Sequence, residues 1–326
     1  MWPHYKKKIY KIVQCLLFIY LFIFIIDIGF MLIKSDISLQ PVTISRDHEL
    51  ATYNPSPPVY LISYASGHDV FFKNQATLSY SALNKGIDHI FQFRRNHIDP
   101  VFYEKNKATL EIKSGGGYWL WKPYFIAKML NEIPENSILI YADSAVIFYK
   151  PITKILDLLK EHDIILLQDG CPRKGYGTIG QKTKRELLQF LEMDTPDIRQ
   201  RPGNWACLFI FKNTPNARKF ADRWLELSQN LKILSPAMID FKIQHPELIC
   251  HGADQSIAGL VAEQMKEKVY YIHSDMLREL GIQNVHRHPN RQYISTLPYI
   301  FRIFKINEWF YNSKIIQTIR SWFYEN

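Results

Sequence analysis

The sequence predicts an α/β fold in which helices flank a mostly parallel sheet and one apolar helix precedes it near the amino terminus. From Val59 onward, short apolar runs alternate with segments of helical period, the pattern of β-α-β units. Residues 138–142 are continuously apolar, and with Ser137 before them they are predicted to form a strand that is covered on both faces. Residues 12–33 are almost entirely apolar, which is long enough for a membrane helix.

The composition is that of a globular protein. With 47% apolar and 22% charged residues among 326, collagen-like, coiled-coil and wholly disordered chains are excluded. The formal charge of +9 suits a polyanionic partner such as nucleic acid, anionic lipid or a phosphorylated small molecule. The sequence contains no zinc-finger, helix-turn-helix or RNP-type signature, so we expect no nucleic acid among its partners. The four cysteines are too scattered for a disulfide framework.

Residues 12–33 are expected to form a single transmembrane signal anchor. At 1.5 Å per residue the run spans about 33 Å, enough to cross a bilayer core. Four lysines lie within residues 6–11, so residues 1–11 are predicted to be a cytoplasmic basic tail. A cleavable signal peptide is the alternative, but no small-x-small site follows Ile33. We expect a single-pass protein of a Golgi membrane in a eukaryote or of the inner membrane in a bacterium.

Three further segments follow the anchor. Residues 34–58 are polar and contain several prolines, which is typical of an extended stem linker. Residues 59–292 are predicted to form the main domain. In residues 293–326 aromatic residues and isoleucines alternate with cations, which suits contact with a membrane surface; packing against the main domain is the alternative.

The elements of the main domain follow from apolar runs, helical spacing and capping residues. Strands are predicted at 59–64, 87–93, 137–142, 164–167 and 207–211, and helices at 69–83, 123–133, 153–161, 182–193, 214–229 and 257–265. Ligands of open α/β sheets bind outside the carboxyl ends of the strands. Polar residues at those ends are therefore the first candidates for a site.

A glycine run leads into aromatic residues and a lysine at residues 114–123. Gly116 and Gly117 allow a ligand to approach the backbone closely. The helix that begins near Trp121 and Lys122 would offer positive charge to a phosphate or diphosphate. The alternative is a flexible loop whose tryptophans fill the core.

Asp143 follows the apolar strand at 137–142. A carboxylate in this position is well placed to hold a divalent cation that bridges two phosphates, because hard cations prefer oxygen ligands. The alternative is an aspartate that ends the strand and caps the next turn.

Two more polar groups stand out later in the chain. Asp254 and Gln255 open the amphipathic stretch at 257–265 and could point into a sugar site, although Asp254 could equally cap the helix. His286, with Arg287 and Arg291 close behind it, could bind a metal while the guanidinium groups grip phosphate. A basic surface loop is the alternative for this segment.

The motifs W-x-W-K-P, Y-x-D and D-Q-S, in this order, resemble those of nucleotide-diphospho-sugar glycosyltransferases of the GT-A fold. The chain is most similar to capsular-polysaccharide-type transferases, and more distantly to the retaining family of glycogenin and the lipopolysaccharide galactosyltransferases. The resemblance covers most of residues 59–291. It implies a GT-A-like hexosyltransferase of polysaccharide biosynthesis that moves a sugar, with retention, from a nucleotide-diphosphate donor, UDP-sugar being favoured, to a glycan or glycolipid acceptor.

The resemblance also implies a metal site. Asp143 matches the first aspartate of a D-x-D motif that binds manganese and the sugar nucleotide, but Ala145 stands where the second would be. A Mn²⁺ or Mg²⁺ site is therefore expected to be weakened, completed by another residue such as Asp169, or lost. His286, with His288 as its rival, matches the late histidine that completes the metal site.

The remaining implied roles concern the donor. Asp254 and Gln255 match the D-Q pair that meets the donor sugar, and they are the predicted catalytic residues. Lys122 takes the place of a basic residue near the diphosphate. The predicted donor-binding residues are Gly116, Gly117, Trp121, Lys122, Asp143, Arg287 and Arg291. The alternative function is a catalytically degenerate, membrane-anchored protein that binds sugar nucleotides or glycans.

Overall fold

The computed structural model describes residues 9–26, 43–45, 57–67, 69–168, 177–284, 313 and 315. The sheet described below belongs to one compact unit formed by Pro41–Ala65 and Thr77–His286, and the amino-terminal helix belongs to another. The predicted late residues His286, Arg287, His288 and Arg291, like Asp169, lie outside the described residues, as does most of the predicted stem and tail.

The described elements alternate between strands and helices for most of their length. The strands are β1 (Thr43–Ser45), β2 (Val59–Tyr64), β3 (His89–Phe93), β4 (Ile138–Ala142), β5 (Val146–Phe148), β6 (Ile164–Gln168), β7 (Asn204–Lys212), β8 (Val269–Ile272) and β9 (Ile282–Asn284). The helices are α1 (Ile9–Ile26), α2 (Asp69–Ala82), α3 (Pro100–Lys105), α4 (Lys107–Leu110), α5 (Trp121–Glu132), α6 (Thr153–Leu158), α7 (Ile179–Lys182), α8 (Arg185–Phe190), α9 (Pro196–Gln200), α10 (Pro215–Ser228), α11 (Leu231–Leu234) and α12 (Asp254–Gln264).

Seven strands form one mixed sheet in the order β1-β3-β2-β4-β7-β6-β8, and β5 pairs with β9 in a separate ribbon. β3, β2 and β4 are parallel neighbours, β6 is parallel to β8, and β1 and β7 run antiparallel to their neighbours. The prediction of an α/β fold with a mostly parallel sheet is confirmed.

The two faces of the sheet are covered by two apolar clusters. Leu139 and Tyr141 of β4 pack on the face that carries α5, α10 and α12, whereas Ile138 and Ile140 pack on the face that carries α6 and the β5–β9 ribbon. Side chains alternate across a strand, so a strand that is covered on both sides is apolar throughout. This is why the uninterrupted apolar run at 138–142 predicted β4 correctly.

Most predicted elements are present with shifted ends, but the single helix predicted over 182–193 is wrong. Two short helices, α7 and α8, stand there, and Thr183 between them has extended backbone angles. The reason is Lys184, which is fully buried and donates from Nζ to the carbonyl oxygens of Lys232 and Ser235, both at 2.7 Å. Because its side chain turns inward to these carbonyl groups, Lys184 interrupts the helix.

The amino-terminal helix α1 has a mean hydropathy of 2.4 and is long and apolar enough to cross a membrane. The predicted span of residues 12–33 overlaps it, and the residues that follow Ile26 lie outside the described part. A helix of this kind is compatible with the predicted anchor, whose orientation and compartment stay predictions.

A tight turn at Gly115–Tyr118 joins the α3–α4 segment to α5. Gly116 and Gly117 have φ values of +57° and +100°, a region that glycine adopts at little cost. A Cβ atom on Gly117 would lie 2.8 Å from Cα of Leu110 and 3.0 Å from the carbonyl oxygen of Thr109. Gly117 is therefore required both for its backbone angle and for the close approach of α4.

We predict that Gly117→Ala lowers the free energy of unfolding by about 1–3 kcal/mol more than Gly67→Ala does. Gly67 also has a positive φ, +78°, but a Cβ there would meet no atom within 4 Å, so it controls for the backbone penalty alone. Chemical denaturation of the two variants and the wild-type protein measures the difference. If the two variants lost the same free energy of unfolding, the close approach of Gly117 to Leu110 would not contribute to stability.

Candidate functional site

The carboxyl ends of β2, β3 and β4 lie side by side at one edge of the sheet. The chain goes from β2 to β3 on one side, and β4 is added on the other side of β2, which makes the edge between β2 and β4 a topological switch point. Asp143 directly follows β4, and its backbone N–H donates to the carbonyl oxygen of Cys207 at 2.8 Å. The neighbouring strand β7 thus fixes the backbone from which the Asp143 carboxylate projects.

Helix α5 brings Lys122 to the same place. Lys122 is only 2% exposed, and its Nζ lies 3.4 Å from Oδ1 of Asp143 and 3.2 Å from Oδ2 of Asp254. The ammonium group also donates to the carbonyl oxygen of Ala206 at 2.7 Å. One buried cation therefore joins two aspartates that are more than a hundred residues apart in sequence.

Asp254 is the first residue of α12 and is 2% exposed. Its carbonyl oxygen accepts a hydrogen bond from Nε1 of the buried Trp224 at 3.0 Å. Ala253 before it has a φ of +52°, a backbone angle that non-glycine residues seldom adopt. The residue in the capping position is Ala253, not Asp254, so the predicted helix-cap role of Asp254 does not describe its place.

Asp143 is the partly exposed member of the group. Its side chain is 36% exposed, and the hydroxyl group of Tyr141 donates a short hydrogen bond to Oδ1. Tyr141 and Lys122 thus both contact Oδ1, whereas the described residues make no hydrogen bond or ion pair to Oδ2. The described contacts of the Asp143 carboxylate are therefore all made by Oδ1.

The electrostatics of the cluster follow from its burial. Burial raises the pKa of Asp254 to about 6; the charge of Lys122 opposes this shift, and that of Asp143 adds to it. Burial alone would lower the pKa of Lys122, but the carboxylates of Asp143 and Asp254 outweigh it and raise that pKa. Burial, with the charge of Asp143, raises the pKa of Tyr141 well above its ordinary value. With both carboxylates ionised and Lys122 charged, the cluster carries one net negative charge.

The indole ring of Trp121 packs beside this cluster. Its ring stacks on Tyr64 with centroids 4.0 Å apart, and its Nε1 donates to the carbonyl oxygen of Gly115 at 2.9 Å. The ring is 6% exposed. In this structure Trp121, with Gly116 and Gly117, builds an ordered turn and part of the core that orients α5; the predicted contacts of these residues with a donor stay predictions.

The structure thus brings together three of the predicted site residues, Lys122, Asp143 and Asp254. Gln255 follows Asp254 and is partly exposed. The predicted contributions of His286, Arg287 and Arg291 lie outside the described residues.

Two buried polar residues near the same edge were missed from the sequence. Asn204, at the start of β7, is 1% exposed, and neither its side-chain oxygen nor its nitrogen has a hydrogen-bond partner among the described residues. Its oxygen lies so near α12 that a Cβ atom on Gly259 would approach it to 2.7 Å. Arg94 directly follows β3 and is also 2% exposed; burial lowers its pKa to about 10. A polar residue at the end of an apolar strand was the available signal in both cases.

The described donor set fits a divalent cation only in part. Asp143 offers one oxygen, and the cluster has one net negative charge to compensate, but no group of three or more His, Cys, Asp or Glu side chains that could hold a metal occurs in the described part. Mg²⁺-type ions are commonly bound by one or two carboxylates together with substrate phosphates and water. The described residues therefore suit an ion that arrives with a phosphorylated ligand rather than a site made of protein alone.

No protein-family model matches the sequence, and no curated protein is significantly similar to it. Similar solved structures include mouse xyloside xylosyltransferase 1, at 10% identity and TM-score 0.39, covering 66% of this chain and 85% of that one. The glycosyltransferase GlyE of Streptococcus pneumoniae TIGR4 has 12% identity and TM-score 0.39, covering 78% of this chain and 64% of that one. The galactosyltransferase LgtC has 13% identity and TM-score 0.36, covering 66% and 74%. These proteins are all glycosyltransferases; at this low level of similarity we draw no conclusion from the likeness alone.

We predict that Lys122→Met lowers the free energy of unfolding by about 3–5 kcal/mol at neutral pH, because it leaves the buried Asp254 carboxylate without its partner. The double variant Lys122→Met/Asp254→Asn should recover part of this loss. Lys128→Met is the matched control on α5, since Lys128 forms only a surface pair with Glu132 at 2.6 Å and should cost at most about 1 kcal/mol. If Lys122→Met cost no more than Lys128→Met, the buried triad would not hold the site together.

The raised pKa of Asp254 predicts a pH dependence of stability. Between its ordinary pKa of 3.8 and its folded pKa of about 6, the folded state binds more protons than the unfolded state, so stability falls as pH rises. Relative to Asp254→Asn, the wild-type protein should lose about 2 kcal/mol between pH 4 and pH 7. Denaturation curves of both proteins at several pH values measure the difference. A wild-type protein that gained stability relative to the variant over this range would contradict the assignment.

Proposed function

We propose that the chain is a glycosyltransferase that moves a sugar from a nucleotide-diphosphate donor to a glycan or lipid-linked acceptor. The observation that carries this proposal is the cluster of Lys122, Asp143 and Asp254 at the topological switch point of the sheet. A buried ammonium group, a half-exposed carboxylate and a buried carboxylate suit the binding of a diphosphate together with a cation.

Asp143 is the group that faces the donor in this proposal. Its free Oδ2 would hold a Mn²⁺ or Mg²⁺ ion, whose other ligands would come from the diphosphate, water and residues such as His286. When bound, such an ion supplies electrostatic stabilisation of the leaving phosphate. In this proposal Tyr141, by bonding Oδ1, holds the carboxylate so that Oδ2 is available to the ion.

Lys122 and Asp254 are the buried members of the cluster, and we assign them an electrostatic role toward the diphosphate. Negative charge develops on the diphosphate as its bond to the anomeric carbon breaks, and a preorganised cation nearby lowers the barrier. Lys122 supplies the positive charge. Asp254, at 3.2 Å, fixes the position of the Lys122 ammonium group. Because Asp254 is 2% exposed, we assign it a positioning role through Lys122 as well as the orientation of the donor sugar.

The sugar end of the donor would meet Gln255 and Asn204. Gln255 is partly exposed next to Asp254, and an amide there can stabilise the oxocarbenium-like centre of the sugar. Asn204 has a buried amide with no hydrogen-bond partner, and such groups are rare unless a ligand or water satisfies them. Retention of anomeric configuration, a UDP-sugar donor and Arg287 and Arg291 as phosphate contacts complete the proposal.

The alternative, a degenerate protein that binds but does not transfer, is favoured by Ala145 in the place of a second acidic ligand. The two functions differ in one measurement. Incubation with a panel of UDP-sugars and Mn²⁺ should release UDP by slow donor hydrolysis if the chain is an enzyme. UDP binding without any turnover across the panel would favour the degenerate protein.

We predict that Asp143→Asn lowers the rate of UDP release at least about 10²-fold, since removal of one electrostatic contact in an active site has an effect of this size. It should also abolish the dependence of UDP binding on Mn²⁺, measured by calorimetry. Asp157→Asn is the matched control, because Asp157 is exposed on α6 and pairs only with Lys160 at 2.7 Å. Unchanged turnover in Asp143→Asn would refute the role of Asp143.

A further inference from the structure

One loop exposes several apolar side chains together with Asp240 and Lys242, whereas its Gln244 and His245 side chains turn toward the rest of the protein. The apolar loop, residues 238–249, lies between α11 and α12. Met238, Phe241, Ile243 and Ile249 are 51%, 82%, 40% and 54% exposed. Apolar side chains grouped on a short exposed segment are a feature of surfaces that contact a membrane or another protein.

The base of the apolar loop is held by polar groups. The buried ammonium group of Lys184 donates to the carbonyl oxygen of Met238 at 3.0 Å, and the backbone N–H of Ile249 donates to Gln181 at 3.0 Å. In the middle, the buried ring of His245 bonds the carbonyl oxygen of Thr183 at 2.9 Å. Both ends and the centre are therefore fixed, so the outward direction of the apolar side chains is built into the fold.

The base is reinforced by Gln244. Its side-chain oxygen accepts from the backbone N–H of Arg185 at 2.8 Å, and its nitrogen donates to Glu186 at 2.9 Å. The polar side chain of Gln244 therefore fixes the loop to α8.

The charges of the apolar loop favour no electrostatic partner. Asp240 accepts from the backbone N–H of Lys242 within the same loop at 3.0 Å, and Glu247 contacts His245 at 3.1 Å and Arg199 at 3.7 Å. The acidic groups are occupied locally and Lys242 offers a single positive charge. A partner that recognises this loop must do so through apolar burial.

We propose that the apolar loop inserts into the surface of a lipid bilayer. The chain itself supplies the reason for this choice of partner, since α1 is long and apolar enough to span a membrane. A unit tethered to a bilayer meets its surface at a high effective concentration. The transfer of phenylalanine, methionine and isoleucine side chains from water to the interfacial region is favourable.

A bilayer contact at this loop has a consequence for the candidate site. His251 follows the loop, accepts from the backbone N–H of Lys184 and contacts the carbonyl oxygen of Ile233 at 2.8 Å, and Asp254 comes three residues later. A loop seated in the membrane would therefore hold the site near a lipid-linked acceptor. This consequence rests on the proposed function, whereas the membrane contact does not.

The test uses the full chain reconstituted into phosphatidylcholine nanodiscs, with its native cysteines replaced and a polarity-sensitive fluorophore on Phe241→Cys. Tyr80→Cys, labelled in the same way, is the matched control, because Tyr80 on α2 is 79% exposed. Lipids with a nitroxide near the headgroup should quench the probe at 241 at least twofold more than the probe at 80. Aqueous iodide should do the reverse, and 1 M salt should change neither result.

Equal quenching of the two probes by the lipid nitroxide would overturn the proposal, as would loss of the difference in high salt. A second label guards against effects of the probe itself. With the fluorophore on Ile249→Cys, the additional change Phe241→Asp should reduce quenching by the lipid nitroxide, and unchanged quenching would count against insertion. Because none of these measurements involves sugar transfer, their outcome is independent of the proposed enzymatic activity.

Discussion

The buried ammonium group of Lys122 is the constraint on which the candidate site depends. Three segments that are distant in sequence, the start of α5, the end of β4 and the start of α12, meet at this single charge. Removing two carboxylates and an ammonium group from water is expensive unless they pair closely. The packing of α5 and α12 on one face of the sheet is therefore tied to the same interaction that gives the site its charge.

The support around this charge is rigid. Trp224 of α10 holds the backbone of Asp254, Tyr141 holds one oxygen of Asp143, and the stacked ring of Trp121 keeps the first turn of α5 against β2. The partly exposed carboxylate of Asp143 thus belongs to a group whose other described members are buried and fixed by their contacts. Such preorganisation is what stabilisation of a developing charge requires.

Much of the sheet could be predicted because its strands are covered on both faces and read as continuous apolar runs. Asp143 was a candidate because it follows a strand, whereas its meeting with Asp254 in one site was implied by the resemblance to GT-A glycosyltransferases. Lys184 could not be recognised in the same way, because an inward-facing lysine side chain carries no periodic signal, and Asn204 offered only its position at one end of an apolar strand. Their burial depends on carbonyl groups and helices that only the tertiary structure brings near, and Lys184 is also why one predicted helix divides into two.

The most direct test of the central claim is a structure of the chain with UDP and Mn²⁺, with the manganese located by its anomalous scattering. The account predicts a manganese peak coordinated by Oδ2 of Asp143, with the diphosphate on the same ion and Lys122 still between Asp143 and Asp254. A nucleotide bound elsewhere, or a diphosphate at this edge of the sheet that contacts neither Asp143 nor Lys122, would contradict it.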